Sequence, residues 1–187
     1  MSSMPDRPHW WTTIDDLQPG TRYAFSLDGQ APLPDPRSLA QPDGVHEASV
    51  VMDPQLFENR PVWEGRDVHG AVGYELHVGT FTRAGTFDAA IAHLDHLVDT
   101  GFDYVEIMPV ATFAGDRGWG YDGVGLYAVH DSYGGPEAFL RFIDAAHARG
   151  LGVVLDVVFN HLGPEGNYLS HFGPYFTDRH DTPWGQA

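Results

Sequence analysis

The chain of 187 residues contains no cysteine, which excludes a disulfide framework and any thiolate metal site. Basic residues are few: 10 Lys and Arg stand against 26 Asp and Glu, a formal charge of −16. Such a charge repels phosphate backbones and anionic bilayers, so neither nucleic acid nor a membrane is expected as a partner. A neutral or cationic ligand is expected instead. No apolar run approaches the ~20 residues of a membrane-spanning helix, and the start lacks a basic, apolar leader, so the expected location is a reducing cytoplasm. No glycine-rich run matches a phosphate loop and no serine lies in a nucleophile elbow. His93 and His96 have only Asp95 beside them and read as a solvated helix face, so no metal and no cofactor is expected.

What is present suffices for a core: 42% of residues are hydrophobic and 13% aromatic. The length allows one medium domain, or a small domain joined to part of a larger one. Nine of the fourteen prolines precede residue 70, among short runs such as Thr21 to Leu27, which is followed by the hairpin-type turn signal Asp28-Gly29. This first third reads as strands and extended loops. From Tyr74 the pattern changes to a strand-like Tyr74 to Phe81 and then a helix with Phe87, Ile91, Leu94, Leu97 and Val98 at helical spacing. Thr86 suits its N-cap and Gly101 its stop. A second strand, Tyr104 to Val110, leads into a glycine-rich loop. Pro136 and Glu137 then open a helix carrying Phe139, Phe142, Ile143 and Ala146, stopped at Gly150. A third strand runs from Gly152 to Asn160. The alternation predicts an α/β fold with parallel strands joined by right-handed crossovers. A doubly wound sheet would carry a phosphate loop after its first strand, and Gly79-Thr80-Phe81-Thr82 has none. The expected architecture is therefore the first part of a (β/α)8 TIM barrel, about three strands of it.

The third strand ends in Asp156-Val157-Val158-Phe159-Asn160-His161 and breaks at Gly163-Pro164. A valine-rich run so bounded reads as a strand buried on both faces, where a lone carboxylate costs several kcal/mol of desolvation unless paired. The carboxyl end of a parallel strand is where such groups do chemistry. Strict alternation puts Asp156 and Asn160 on one face and His161 on the other. A pocket shared by Asp156 and His161 thus requires the strand to end or bulge before His161. On the residues alone, Asp156 as an organiser of the strand end and His161 as a simple cap stays open. In Gly118-Trp119-Gly120-Tyr121-Asp122-Gly123, two aromatics flanked by glycines can present flat faces, which suit the C–H side of a sugar ring. The alternative is an aromatic-anchored turn packed on the core. Glu165, between Pro164 and Gly166, reads as a solvated turn residue rather than an acid catalyst.

Asp156 to His161 resembles the third-strand segment of the alpha-amylase superfamily, glycoside hydrolase family 13, and Gly101 to Val110 resembles its second-strand segment. Tyr74 to Phe81, Trp119 to Val124, Asn160 to Tyr168 and Pro174-Tyr175-Phe176-Thr177 resemble those members that hydrolyse the α-1,4 bond beside the terminal trehalose of maltooligosyltrehalose. Branching members usually end the third strand in Pro-Gly-His, where this chain has Phe159-Asn160-His161. The resemblance implies that residues 1–50 are the end of an N-terminal β-sandwich, 51–70 a linker and 71–187 part of the catalytic barrel, up to the start of the loop after its third strand. It implies an α-1,4-glucan substrate. Tyr121 would stack on the sugar on the non-reducing side of the cut, with Trp119 beside it, and His161 would hydrogen-bond that sugar. Asp156 and Asn160 would hold the strand end. The family's retaining mechanism needs carboxylates about 5 Å apart, supplied by the fourth, fifth and seventh strands. The resemblance therefore implies no catalytic residue in this chain and no hydrolysis by it alone. A non-catalytic glucan-binding piece, or part of a branching or debranching enzyme, are the alternatives.

Overall fold

The computed structural model describes residues 1–4, 10–58, 60–182 and 185–186. Its centre is a parallel sheet of β1 (Gly73–Leu76), β2 (Tyr104–Ile107) and β3 (Gly152–Leu155), in that spatial order. The register pairs Leu76 with Ile107 and Ile107 with Leu155, so the three strands end level with one another. Leu76, Val105 and Ile107 alternate onto one face and are buried there against Phe87, Leu94, Leu97, Phe142 and Ala146. These come from helices α1 (Phe87–Ile91), α2 (Leu94–Thr100) and α3 (Gly135–His147). Phe87 and Phe142 expose no surface, their rings 5.5 Å apart, and full burial of each stabilises by about 1.5–3 kcal/mol. Strands alternating with helices that cover one sheet face make an α/β arrangement, which fits the opening of a barrel.

The expected caps are present. Thr86 accepts from the backbone N–H of Ala89 at 3.3 Å, and Gly101 ends α2 with φ +99°. The single helix expected between them is two. At the junction the His93 N–H turns to Ala90 O, 3.0 Å away, a tightened i→i−3 bond that interrupts the α-helical ladder. Leu94 and Leu97 still reach the core, whereas Val98 is left 39% exposed.

All three strands are shorter than the sequence implies. The first stops at Leu76, and His77 begins a helical turn, Val78–Phe81, that folds Phe81 back onto Tyr74 at 5.9 Å. The second stops at Ile107, two residues before Pro109, which has no N–H to give a neighbour. The glycine-rich loop beyond it contains an unforeseen antiparallel pair, Ala111–Thr112 with Gly125–Val129. The third stops at Leu155 rather than Asn160. Nor is it buried on both faces: Val154, Leu155 and Val157 are 42%, 40% and 38% exposed. The physical reason is position, since β3 is the sheet edge and no described strand pairs with its outer side.

In the first third, Arg22–Tyr23 pairs with Ser49–Val50, and Phe25 bridges Leu33 across the Asp28-Gly29 turn, where both φ values are positive. The segment between this part and the sheet is packed down. Trp63 stacks on His147 at 4.4 Å, and Arg66 donates to Gly150 O at 2.9 Å and pairs with Asp103. Among the described residues no helix is long and apolar enough to cross a membrane.

Candidate functional site

Because the strands end level, the residues that follow them, His77, Met108 and Asp156, leave the sheet at one end. The Asp156 N–H still bonds Ile107 O at 2.9 Å, and beyond it the strand is over. The condition for a pocket shared by Asp156 and His161, a strand that ends before His161, is met, but the cavity that Asp156 lines does not include His161. The His161 Nε2 lies 2.8 Å from Tyr121 O, and a carbonyl only accepts, so Nε2 carries the proton and donates. Nδ1 is then the acceptor for Asn160 Nδ2 at 2.8 Å. The structure thus joins Asn160, His161 and the backbone of Tyr121 in one chain of hydrogen bonds.

Asp156 differs from expectation. It is half-buried, not enclosed, so the large desolvation cost attached to a core carboxylate does not arise. It lines an apolar cavity of about 250 Å³ with Gly120, Gly123 and Val158. Two further carboxylates escaped the sequence reading: Glu75 and Glu106, cross-strand partners on the sheet face away from the helices. The signal was there, because Leu76, Val105 and Ile107 take the helix face and alternation sends Glu75 and Glu106 to the other. Partial desolvation raises the Tyr121 phenol pKa, and the charges of Asp156, Glu75 and Glu106 raise it further. Tyr121 therefore stays a neutral hydrogen-bond donor well above neutral pH. No group of three His, Asp or Glu among the described residues could hold a metal ion. His93 packs edge-on to Phe81, rings 5.6 Å apart.

The aromatic loop faces outward. Trp119 is 72% and Tyr121 41% exposed, so neither ring anchors a turn in the core. Gly120 makes the bend between them at φ +90°, and a Cβ there would fall 2.1 Å from Pro109 O. The loop after β3 is keyed to the same backbone: the Gly163 N–H donates to Gly123 O at 3.1 Å, and a Cβ on Gly163 would meet Asp122 O at 2.1 Å. Farther along, Tyr168 OH lies 2.6 Å from His46 Nδ1 in the N-terminal segment. Glu165, 65% exposed and 3.4 Å from His46 Nε2, is a surface residue. An exposed indole, an exposed neutral phenol and a braced imidazole are each chemically suited to an uncharged polyhydroxyl ring.

A sequence profile described as alpha amylase, catalytic domain, matches residues 38–180. The chain belongs to the alpha-amylase family. All the site residues described above lie inside that match. Among relatives of this alpha-amylase family chain, a Mycobacterium tuberculosis protein named malto-oligosyltrehalose trehalohydrolase is 58% identical over 95% of this chain and 31% of its own length. One of the same name from Arthrobacter ramosus is 54% identical over 97% of this chain and 32% of its own. A crystal structure from Salmonella typhimurium, assigned as an alpha amylase, superposes with a TM-score of 0.86 at 50% identity, covering 93% of this chain and 30% of that one. The chain spans about a third of the length of the curated relatives it matches.

Proposed function

We propose that this chain supplies the sugar-binding wall of a retaining glycoside hydrolase that cuts the α-1,4 bond beside the terminal trehalose of maltooligosyltrehalose. The observation that carries the reading is the His161–Tyr121 bond of 2.8 Å, oriented by Asn160, beside outward-facing Tyr121 and Trp119 rings. Tyr121 stacks on the sugar on the non-reducing side of the cut, and Trp119 extends the platform. His161 has both ring nitrogens engaged in the free site, so its Nε2–H leaves Tyr121 O for a sugar hydroxyl when substrate arrives. Asp156 and Asn160 keep the strand end in shape. Residues 1–50 belong to the end of a β-sandwich, 51–70 link it, and 71–187 contribute the first strands of the barrel. The names of the relatives, at 54% and 58% identity, support this choice of substrate.

On this reading the carboxylates that cut the bond lie outside these 187 residues, and losing any one of them typically costs orders of magnitude in rate. The chain alone is expected to bind maltopentaose but to release no trehalose from maltotriosyltrehalose. Trehalose release by the purified chain would refute the division of labour. Absence of any maltopentaose binding would refute the sugar wall.

A further inference from the structure

The carbonyl of Gly118, at the root of the aromatic loop, is approached by two donors from distant parts of the chain. His77 Nε2 stands 2.7 Å from it and Tyr133 OH 3.3 Å. A carbonyl only accepts, so His77 carries its proton on Nε2, and Nδ1 is free to accept from Thr80 Oγ1 at 3.2 Å. Both donors are themselves fixed. His77 leaves the end of β1, and Tyr133 is 2% exposed, with Phe113 at 6.1 Å and His130 at 5.1 Å between ring centres. Gly118 is also pressed on Phe113, where a Cβ would come within 2.8 Å of the ring. The next residue, Trp119, is the exposed ring of the platform, 6.0 Å from the His77 ring.

We propose that His77 and Tyr133 are positioning residues, a two-donor clamp on Gly118 O that holds Trp119 and Tyr121 ready for a glucan. The inference rests on the glucan-binding reading of this site. Its physical content is preorganisation: packing of Gly118 on Phe113 limits the loop sterically, the two donors fix it by direction, and ordering a loop with outward aromatics only upon binding would weaken the complex. The far end is held separately, by His161 on Tyr121 O.

The test uses His77→Ala, His77→Gln and Tyr133→Phe in the 187-residue chain. Glutamine keeps a donor of similar reach, and phenylalanine keeps the buried ring while deleting only the hydroxyl. Amide hydrogen exchange of the loop peptide reports the clamp, and calorimetric titration with maltopentaose reports the platform. His77→Ala should speed exchange at Trp119 to Tyr121 and weaken maltopentaose binding, each by about tenfold, the scale of one lost hydrogen bond. Tyr133→Phe should do the same to a smaller extent, about threefold, and His77→Gln should restore both to within about threefold of the parent. Unchanged exchange in both His77→Ala and Tyr133→Phe overturns the clamp, as does faster exchange with unaltered maltopentaose affinity. If His77→Ala fails to fold, Tyr133→Phe decides alone. Should the parent bind no maltopentaose, the glucan reading falls while the exchange measurement still judges the clamp.

Discussion

Replacing Gly163 by alanine moves one wall of the site without altering any group that would meet a sugar. The φ of Gly163 lies outside the left-handed region, so alanine is conformationally allowed and the effect is steric. The added Cβ would fall 2.1 Å from Asp122 O and 2.7 Å from Asp122 C, where ordinary contact begins near 3.4 Å. The two loops must part by roughly 1 Å to relieve the overlap. Two hydrogen bonds cross that seam, His161 Nε2 to Tyr121 O at 2.8 Å and Gly163 N–H to Gly123 O at 3.1 Å. Stretched by that much, both reach or pass the ~3.5 Å limit of useful geometry. Each is worth about 1 kcal/mol, within the ~1–3 kcal/mol typical of overpacking. Gly163→Ala should therefore lower stability by about 1–3 kcal/mol and weaken maltopentaose binding by about tenfold. Calorimetric titration and denaturant unfolding read the two effects. Gly173→Ala, whose Cβ would meet only Tyr175 at 3.6 Å, serves as the control. Parental affinity in Gly163→Ala would refute the keyed-loop description.

Two more outcomes follow from burial and edge exposure. His130 is buried with its ring 3.7 Å from Phe113, and burial lowers its pKa despite the opposing pull of Asp131 and Asp116. Its unfolded pKa is about 6.5, so as pH falls through that value the unfolded chain takes up a proton before the folded one does. Stability should be full above about pH 6.5 and fall below it until the folded imidazole also titrates. His147 adds to the same trend, its pKa lowered by desolvation. The denaturant midpoint should be lower at about pH 5.5 than at about pH 7.5, and His130→Gln should narrow the gap; an unaltered gap would contradict the assignment. On β3, whose outer edge no described strand pairs, Val154 and Leu155 are 42% and 40% exposed, and Phe159 in the segment beyond it is 83% exposed, apolar surface that favours self-association. Sedimentation should show concentration-dependent oligomers that Val154→Lys reduces. A parent that stays monomeric throughout would count against this.

Locally encoded features were legible in the sequence. Thr86 and Gly101 cap where expected, the alternation of strand, helix, strand, helix, strand is present with its first helix split into α1 and α2, and Phe142 and Ala146 face the core. Strand length was not legible, because a strand lasts only while a neighbour offers partners. The valine run after Gly152 stays strand-forming in composition as far as Phe159, yet its last bond to β2 is the one the Asp156 N–H donates to Ile107 O. The break between α1 and α2 is likewise a matter of one i→i−3 bond that helical periodicity does not register. For the candidate site, the rule that parallel strands carry chemistry at their carboxyl ends singled out Asn160 and His161, and glycine spacing singled out Trp119 and Tyr121. The enclosure of Asp156 depended on neighbours the sequence does not name. His77 and Tyr133 reach Gly118 from 41 and 15 residues away, separations without a local signature. The carboxyl-end rule, applied to the first strand as it was to the third, would have singled out His77.

The central claim, that Tyr121 is the sugar platform of this family member, is tested most directly by titrating maltopentaose into the chain and into Tyr121→Ala. Loss of one stacked aromatic face should weaken binding by about tenfold, with the unfolding midpoint little changed because the ring is 41% exposed. Equal affinity in the parent and in Tyr121→Ala would contradict the account.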